Sequence, residues 1–366
     1  MRRVVVVGGG PAGAAAAMAL AKKSGIECLL VEQKTIPRSK VCGSGLSPWT
    51  LKVLDELGVG DEVRCRAFRI DGARIAGNEG DAIEIRGQHE TAVLVRSKLD
   101  EILCQNAVRS GAILREGVRV RRIERQGEQL VGVETTAGPI EADALVDCTG
   151  ASGALGQWGG KPTRLLTMLG WYEGIEETSD VVELYFDRAL RPYYGWVFPE
   201  SERRANVGIC YLAGPRSAPR DRFRDFVERR LGRRMRHASL LGNLVGHPVH
   251  ASARPRRLGA PGVLVAGEAG AIVDLGTAEG IYHALVSGTL AGSSVATALE
   301  ETGTVGTREV RAYERRVRER LGARMAAGWL LRASLSTPLL DGLVYLQSLR
   351  AARTLLLGGF AGRYHG

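Results

Sequence analysis

The chain opens with four consecutive valines at residues 4–7, and an uncharged stretch continues from there to Ala21. Two arginines precede the run, so these first residues resemble a signal peptide, and the run is about as long as a short membrane span. Three consecutive glycines and a proline (GGGP) interrupt it, and their low helix propensity counts against one continuous apolar helix. The pattern predicts instead a strand over residues 4–7, a glycine turn, an Ala-rich helix to about Lys23 and a second strand over residues 27–31 that ends on Glu32. Apolar and polar residues alternate in FRIDGARIAG and DAIEIRG and again through residues 163–186 and 203–212, which predicts an antiparallel sheet. EADALVDCTGASG and GVLVAGEAG each predict a strand running into a glycine-rich turn, the second followed by a helix. Leu99, Ile102, Leu103 and Ala107 mark the buried face of a helix after Arg96, and Phe223, Phe226, Val227 and Leu231 mark one face of a basic helix. From about Tyr313 the tail reads as helical, with MAAGWLLRASL and LLDGLVYLQSL split by Pro338 and neither long enough to span a bilayer.

The first of these units has a chemical meaning. Gly8-x-Gly10-x-x-Gly13 between a strand and a helix, with a second strand ending in an acid, is the dinucleotide-binding fingerprint. Gly8 allows the tight turn, Gly10 lets the backbone approach a pyrophosphate, and Gly13 lets the helix pack closely on the strands. The helix N-terminus offers free N–H groups and the positive end of its dipole to the phosphates. Glu32, nineteen residues past Gly13, is placed to accept hydrogen bonds from the adenosine ribose. The fingerprint does not separate NAD from FAD, so the two later strand-to-turn segments matter: one carries Asp147, Thr149, Gly150 and Gly153, the other Gly267 and Glu268.

Composition narrows the partners. At 366 residues, 45% hydrophobic and 25% charged, the chain reads as a globular protein of about two domains. Its formal charge of +10 admits nucleic acid, an anionic membrane surface or a phosphorylated substrate. The absence of zinc-finger spacing, an RNP-like stretch or a basic-region heptad speaks against nucleic acid. Six cysteines lie far apart with no CxxC pair, which fits a reduced, cytoplasmic protein without a metal site. Aromatic residues make up only 5% of the chain, yet Tyr193, Tyr194, Trp196 and Phe198 crowd into PYYGWVFP.

Taken in order, the three glycine-rich segments resemble the FAD-binding pattern of the flavoprotein superfamily that holds p-hydroxybenzoate hydroxylase and the geranylgeranyl reductases, over most of residues 1–295. Within it, Tyr194-Gly195-Trp196-Val197-Phe198-Pro199 is similar to the geranylgeranyl reductase pattern YxWxFP. Lys40-Val41-Cys42-Gly43-Ser44-Gly45 resembles that family's KxCGxG-like segment, and TAEGIYHALVSG resembles its GEGIYYAxxSG. The resemblance implies an α/β fold: a Rossmann-like three-layer FAD-binding domain (residues 1–66, 90–160 and 255–310), an inserted antiparallel β-sheet substrate domain (67–89 and 161–254) and a C-terminal helical region (311–366).

It also implies a set of site residues. FAD falls to Gly8, Gly10, Ala12, Gly13, Glu32, Gln33, Lys40, Cys42, Gly43, Arg96, Val120, Thr149, Gly150, Gly267, Glu268, Gly276, Ala278, Gly280 and Ile281, with Arg96 beside the cofactor and Glu268 standing where relatives carry Asp on the ribityl chain. Tyr193, Tyr194, Trp196 and Phe198 are expected to line a tunnel for an apolar isoprenoid chain, Gly276 and Gly280 to bracket the loop that meets the ring, and His283 to be a satisfied core residue. The implied reaction adds a hydride from flavin N5 and a proton across a C=C bond. Cys42 or Tyr194 is the proton donor, and the faces of Tyr194 and Trp196 stabilise partial positive charge on carbon. NADPH, ferredoxin or a quinol supplies the electrons, and the Arg-rich tail could rest on a membrane surface. The alternatives are an FAD monooxygenase, a flavin halogenase, whose WxWxIP pattern GWVFP resembles, and a non-catalytic flavin carrier. No lysine lies between Lys52 and Lys98, where a halogenase lysine is expected.

Overall fold

The computed structural model describes residues 1–77, 82–153, 155–156, 158, 160–214 and 218–337. Two sheets dominate. The first is six-stranded in the order β16 (Gly259–Ala260), β17 (Val263–Val265), β10 (Ala144–Asp147), β1 (Arg2–Val7), β2 (Ile26–Val31) and β6 (Ile113–Arg115). All its pairs are parallel except β16 with β17. The four valines of β1 are buried on both faces, as central parallel strands require. Val4 and Val6 pack under α1 (Pro11–Ala21), α4 (Arg96–Arg109) and α6 (Ile281–Glu301). Val5 and Val7 pack on a three-stranded sheet of β7 (Val120–Gln126), β8 (Gln129–Thr135) and β9 (Gly138–Glu141). Alternation along one short strand thus produces the three layers.

Helices α1 and α6 touch backbone to backbone. A Cβ on Gly288 would sit 2.1 Å from the Ala12 carbonyl oxygen and one on Gly292 would sit 2.4 Å from that of Ala16. The small residues of the AAAAMALA stretch are therefore a packing requirement as well as a helix preference.

The second sheet has eight strands in the order β15 (Ser239–Ala251), β11 (Thr163–Glu173), β14 (Arg204–Leu212), β13 (Gly195–Pro199), β12 (Val181–Tyr185), β4 (Phe68–Ala76), β5 (Ala82–Val93) and β3 (Gly45–Leu46). Its pairs are antiparallel except β12 with β4. That parallel pair corrects the wholly antiparallel expectation. Its two strands belong to separate stretches of chain, so no hairpin dictates their direction. One face carries Val197, Ala205, Val207 and Ile209 and packs on Phe223, Phe226 and Leu231 of α5 (Pro219–Leu231). Burying a side chain such as Phe226 contributes roughly 1.5–3 kcal/mol. The other face carries Leu165, Leu169, Trp196, Phe198 and Cys210.

Two short helices, α2 (Pro48–Glu56) and α3 (Gly60–Arg66), join β3 to β4. The tail differs from expectation. Helix α7 (Thr307–Leu335) begins before Tyr313 and runs unbroken through MAAGWLLRASL. Its N-cap is Gly306, whose N–H donates to Glu309 3.0 Å away, so the start lacks the Ser, Thr or Asp signal that marks a helix in sequence. The expected second tail helix around Pro338 lies outside the described residues. No helix among the described residues is long and apolar enough to cross a membrane.

Candidate active site

The fingerprint turn sits where the strand order of the parallel sheet reverses, at the C-terminal ends of β1 and β10. Gly8 has φ +104°, and a Cβ there would lie 2.5 Å from the Cys148 carbonyl oxygen; one on Gly13 would lie 1.8 Å from the carbonyl of Gly8. Both positions are closed to any side chain. Gly10 caps α1 without a side-chain hydrogen bond, and the first turn of that helix holds no acid. Its N–H groups thus lack a carboxylate partner, and the nearest atoms to a Cβ on Gly10 are guanidinium nitrogens of Arg38 and Arg96, each at 3.8 Å. An uncapped helix N-terminus with two guanidinium groups beside it fits the diphosphate of a dinucleotide.

Four charges order this corner, Glu32, Arg96 and Asp100 buried and Arg38 partly so. Arg96, the first residue of α4, forks onto Asp100 with two bonds of 2.9 Å. Arg38 bridges Asp100 at 3.0 Å and Glu32 at 3.2 Å. Burial works against the Arg96 charge, but Asp100 and the Cys42 sulfur hold the guanidinium above the ordinary arginine value. Glu32 also accepts the Gly9 N–H at 2.8 Å and the Lys34 N–H at 3.0 Å. It therefore stiffens the turn as well as standing where a ribose is expected. Gln33 is exposed beside it, and Val120 is buried at the start of β7.

At the end of β10, Asp147 accepts the N–H and hydroxyl of Thr149 at 3.0 and 2.7 Å and Trp158 Nε1 at 2.7 Å. Burial still pushes its carboxyl up. Thr149 and Gly150, with φ +71°, are half-buried on the turn this staple fixes. At the end of β17, Gly267 has φ +65° and approaches Ala12. Glu268 accepts the His250 N–H at 3.0 Å, and burial raises its carboxyl above the usual range.

Three separate segments meet over the aromatic face of the eight-stranded sheet. Tyr193 donates its hydroxyl to the Leu275 carbonyl at 2.8 Å and Tyr194 to that of Thr277 at 2.5 Å, tying the aromatic strand to the loop before α6. In that loop Asp274 accepts the N–H groups of Gly276 and Thr277 at 2.9 and 2.7 Å, Ala278 adopts φ +58°, and Gly280 caps α6 just before the buried Ile281. The Lys40–Gly45 turn presses on the same strand: a Cβ on Gly43 would lie 3.2 Å from the Phe198 ring and 3.3 Å from Trp196 Nε1. Trp196 lies across Gly208, donates to Asn206 Oδ1 at 2.8 Å, and sits 6.3 Å from the Tyr194 ring and 6.1 Å from that of Phe198. Asn206 in turn donates to the Cys42 carbonyl at 3.4 Å. The Cys42 sulfur itself accepts the Ser44 N–H at 3.3 Å.

Several expectations change. Tyr193 is fully enclosed with its hydroxyl engaged, so it pins the loop and lines no open channel. Gly276 is glycine because α7 leaves no room, since a Cβ there would lie 2.3 Å from the Gly328 carbonyl oxygen. His283 is buried, yet neither ring nitrogen meets a hydrogen-bond partner among the described residues, so it is not the satisfied core residue expected. Arg38, Asp100, Asn206, His247 and Glu279 were missed. The spacing of Arg96 and Asp100, one helical turn apart, was a readable ion-pair signal. Glu279 takes Ser47 Oγ and, at 3.2 Å, Arg324, whose guanidinium stacks on Trp49 and Tyr282.

Comparison with known proteins agrees with this geometry. Residues 1–180 match the FAD binding domain family. The chain is 32% identical to a digeranylgeranylglycerophospholipid reductase of Methanothrix thermoacetophila, over 88% of this chain and 84% of that one. It is 30% identical to digeranylgeranylglycerophospholipid reductase 2 of Methanopyrus kandleri, over 87% and 83%. Among solved structures, a geranylgeranyl bacteriochlorophyll reductase-like protein of Thermoplasma acidophilum superposes with a TM-score of 0.85 at 25% identity, over 95% of this chain and 91% of that one. The flavin-dependent brominase Bmp2 superposes with a TM-score of 0.79 at 19% identity, over 99% and 94%, which is a likeness of fold.

Proposed function

Because the chain belongs to the family of the digeranylgeranylglycerophospholipid reductases, we propose that it is an FAD-dependent oxidoreductase that reduces carbon–carbon double bonds in a geranylgeranyl-type isoprenoid lipid. The observation that carries this reading is the meeting of the Lys40–Gly45 turn, the Tyr194–Pro199 strand and the loop before α6 on one apolar face. An isoprenoid is long and flexible, and an apolar aromatic wall orients it without hydrogen bonds.

In this reading residues 1–66, 90–160 and 255–310 form the FAD-binding domain, 67–89 and 161–254 the substrate domain and 311–366 a helical appendage. Gly8, Gly10 and Gly13 admit the diphosphate, with Arg38 and Arg96 neutralising it. Glu32 holds the adenosine ribose, Glu268 faces the ribityl chain, and the loop from Gly276 to Ile281 borders the ring. FAD, when bound there, supplies the hydride. Tyr194, Trp196 and Phe198 hold the alkene and exclude water, and Asn206 fixes the indole plane. NADPH or ferredoxin serves as electron source. Trp329, Leu330 and Leu331, exposed on the Arg-rich α7, form a surface suited to a lipid bilayer from which such a substrate is drawn.

The test is anaerobic incubation of the reduced holoprotein with a geranylgeranyl lipid, followed by mass spectrometry. A gain of two hydrogens per double bond is expected. Product that forms only with oxygen would instead establish a monooxygenase.

A further inference from the structure

Lys40 brings a cation to the apolar face. Its Nζ lies 2.9 Å from Nε2 of His247 on β15. Along β15 His247 alternates in step with Val245 and Val249, and its register partner Thr167 does so with Leu165 and Leu169. All four of those aliphatic residues belong to the cluster that holds Tyr194, Trp196 and Phe198. The ammonium is thus held on the side of the sheet where the alkene is expected. An ammonium only donates, so Nε2 accepts and the ring hydrogen is assigned to Nδ1.

The other donors are engaged differently. The Tyr194 hydroxyl already donates to the Thr277 carbonyl, and burial raises its pKa. The Cys42 sulfur serves as an acceptor. Burial, by contrast, pushes the Lys40 ammonium below ordinary lysine, with Glu268 opposing and Arg96 reinforcing that shift. The charged and titratable groups around the pair are Glu268, Arg96, Arg38, Cys42 and His250. Burial first, and the Lys40 charge second, lower His247 to about 4, so it is neutral at pH 7.

Resting on the reductase reading above, we propose that Lys40 delivers the proton that completes reduction of the double bond and that His247 is the positioning residue that holds its ammonium. One alkene carbon takes a hydride, the two electrons coming from the reduced flavin. The π pair forms a C–H bond at the other carbon with a proton from Lys40 Nζ, the electrons of the broken N–H bond stay on nitrogen, and the neutral amine regains a proton from water.

The experiment uses the FAD-loaded protein. In single turnover of the reduced enzyme with a geranylgeranyl lipid, Lys40→Met is expected to slow reduction by about 100-fold or more. Lys40→Arg keeps the charge but holds its proton too tightly to release, so, compared at equal flavin occupancy, it is expected to remain slow; native-like rates in that variant would reduce Lys40 to an electrostatic role and overturn the proposal. Independently of turnover, nitrogen NMR of labelled histidine is expected to show His247 as the Nδ1–H tautomer down to about pH 4, and to show its titration rising toward the ordinary value of about 6.5 in Lys40→Met. A His247 that titrates normally in the native protein, or ignores Lys40→Met, overturns the pairing. If the native protein reduces the lipid while Lys40→Met does so at the native rate, the proton assignment fails and the reductase reading stands. If the native protein leaves the lipid unreduced, both fall.

Discussion

The fingerprint turn and the aromatic strand are built by opposite means. The tightest constraints on Gly8 and Gly13 come from backbone close in space: a Cβ on Gly13 would meet the Gly8 carbonyl and one on Gly8 the Cys148 carbonyl. The aromatic strand is held by groups far away in sequence, Tyr193 by a residue 82 positions on and Asn206 by one 164 positions back. The first region is defined by what it excludes and the second by what it gathers. One added carbon should ruin the turn, whereas the aromatic site should lose function in proportion to the partner removed.

Asp100→Ala is expected to do the most damage, because it removes a partner beneath the turn itself. Asp100 is fully buried and answers both Arg96 and Arg38. Stripping the partner from a buried ion pair costs about 3–5 kcal/mol. Chemical denaturation should register that loss, and flavin titration should show weakened binding. Native stability in this variant would mean that the two arginines escape to water, and that the corner is less rigid than its geometry implies.

Gly13→Ala comes next. A methyl group 1.8 Å from a carbonyl oxygen forces helix α1 away from β1, and overpacking of this kind costs about 1–3 kcal/mol. Flavin content of the purified protein is the measurement, and its loss together with a lower Tm is the expected outcome. Trp196→Phe sharpens the contrast. It removes the donor to Asn206 Oδ1 inside a buried site, at a cost of about 1–3 kcal/mol. Lipid reduction should drop while flavin content holds. If Gly13→Ala keeps its flavin, or Trp196→Phe loses it, the distinction between an excluding and a gathering region is broken.

That distinction also explains what could be read in advance. From β1 to Glu32 the signals are local: four valines, three glycines at fixed offsets and an acid at the strand end, and the chain folds there as those signals say. The pairing of PYYGWVFP with the Lys40–Gly45 turn was legible only as two segments typical of one family, because nothing in either announces contact with the other. His247 was not legible. Strand β15 carries Gly242, Gly246 and Pro248 and shows no clean alternation, which its place at the sheet edge permits. Arg38 sits among exposed polar residues in sequence, and only the return of α4 buries it against Asp100. Gly276 was legible as one of two glycines bracketing the loop expected to meet the ring, but the contact that requires glycine there, the backbone of Gly328, belongs to a helix about fifty residues later in the chain.

The smallest expected effect is a slope, and it probes the place where the two regions touch. Glu268 stands at the end of β17 on the parallel sheet, while the N–H it accepts comes from His250 on the edge strand of the other. Burial raises its carboxyl above the ordinary glutamate value, with that N–H and Lys40 opposing the rise. A carboxyl that holds its proton more tightly in the folded protein than in the unfolded chain adds stability below the ordinary glutamate value, and this contribution is lost as pH rises through the folded value. Glu268→Gln carries the neutral form at every pH. The difference in Tm between the variant and its parent should therefore be near zero at about pH 4, below the ordinary glutamate value of about 4.3, and should open in the variant's favour toward neutrality. A difference that stays flat across that range would mean that Lys40 and the His250 N–H compensate the Glu268 charge as fully as Asp100 compensates Arg96, and that the seam between the two sheets is as tightly fixed electrostatically as the fingerprint corner.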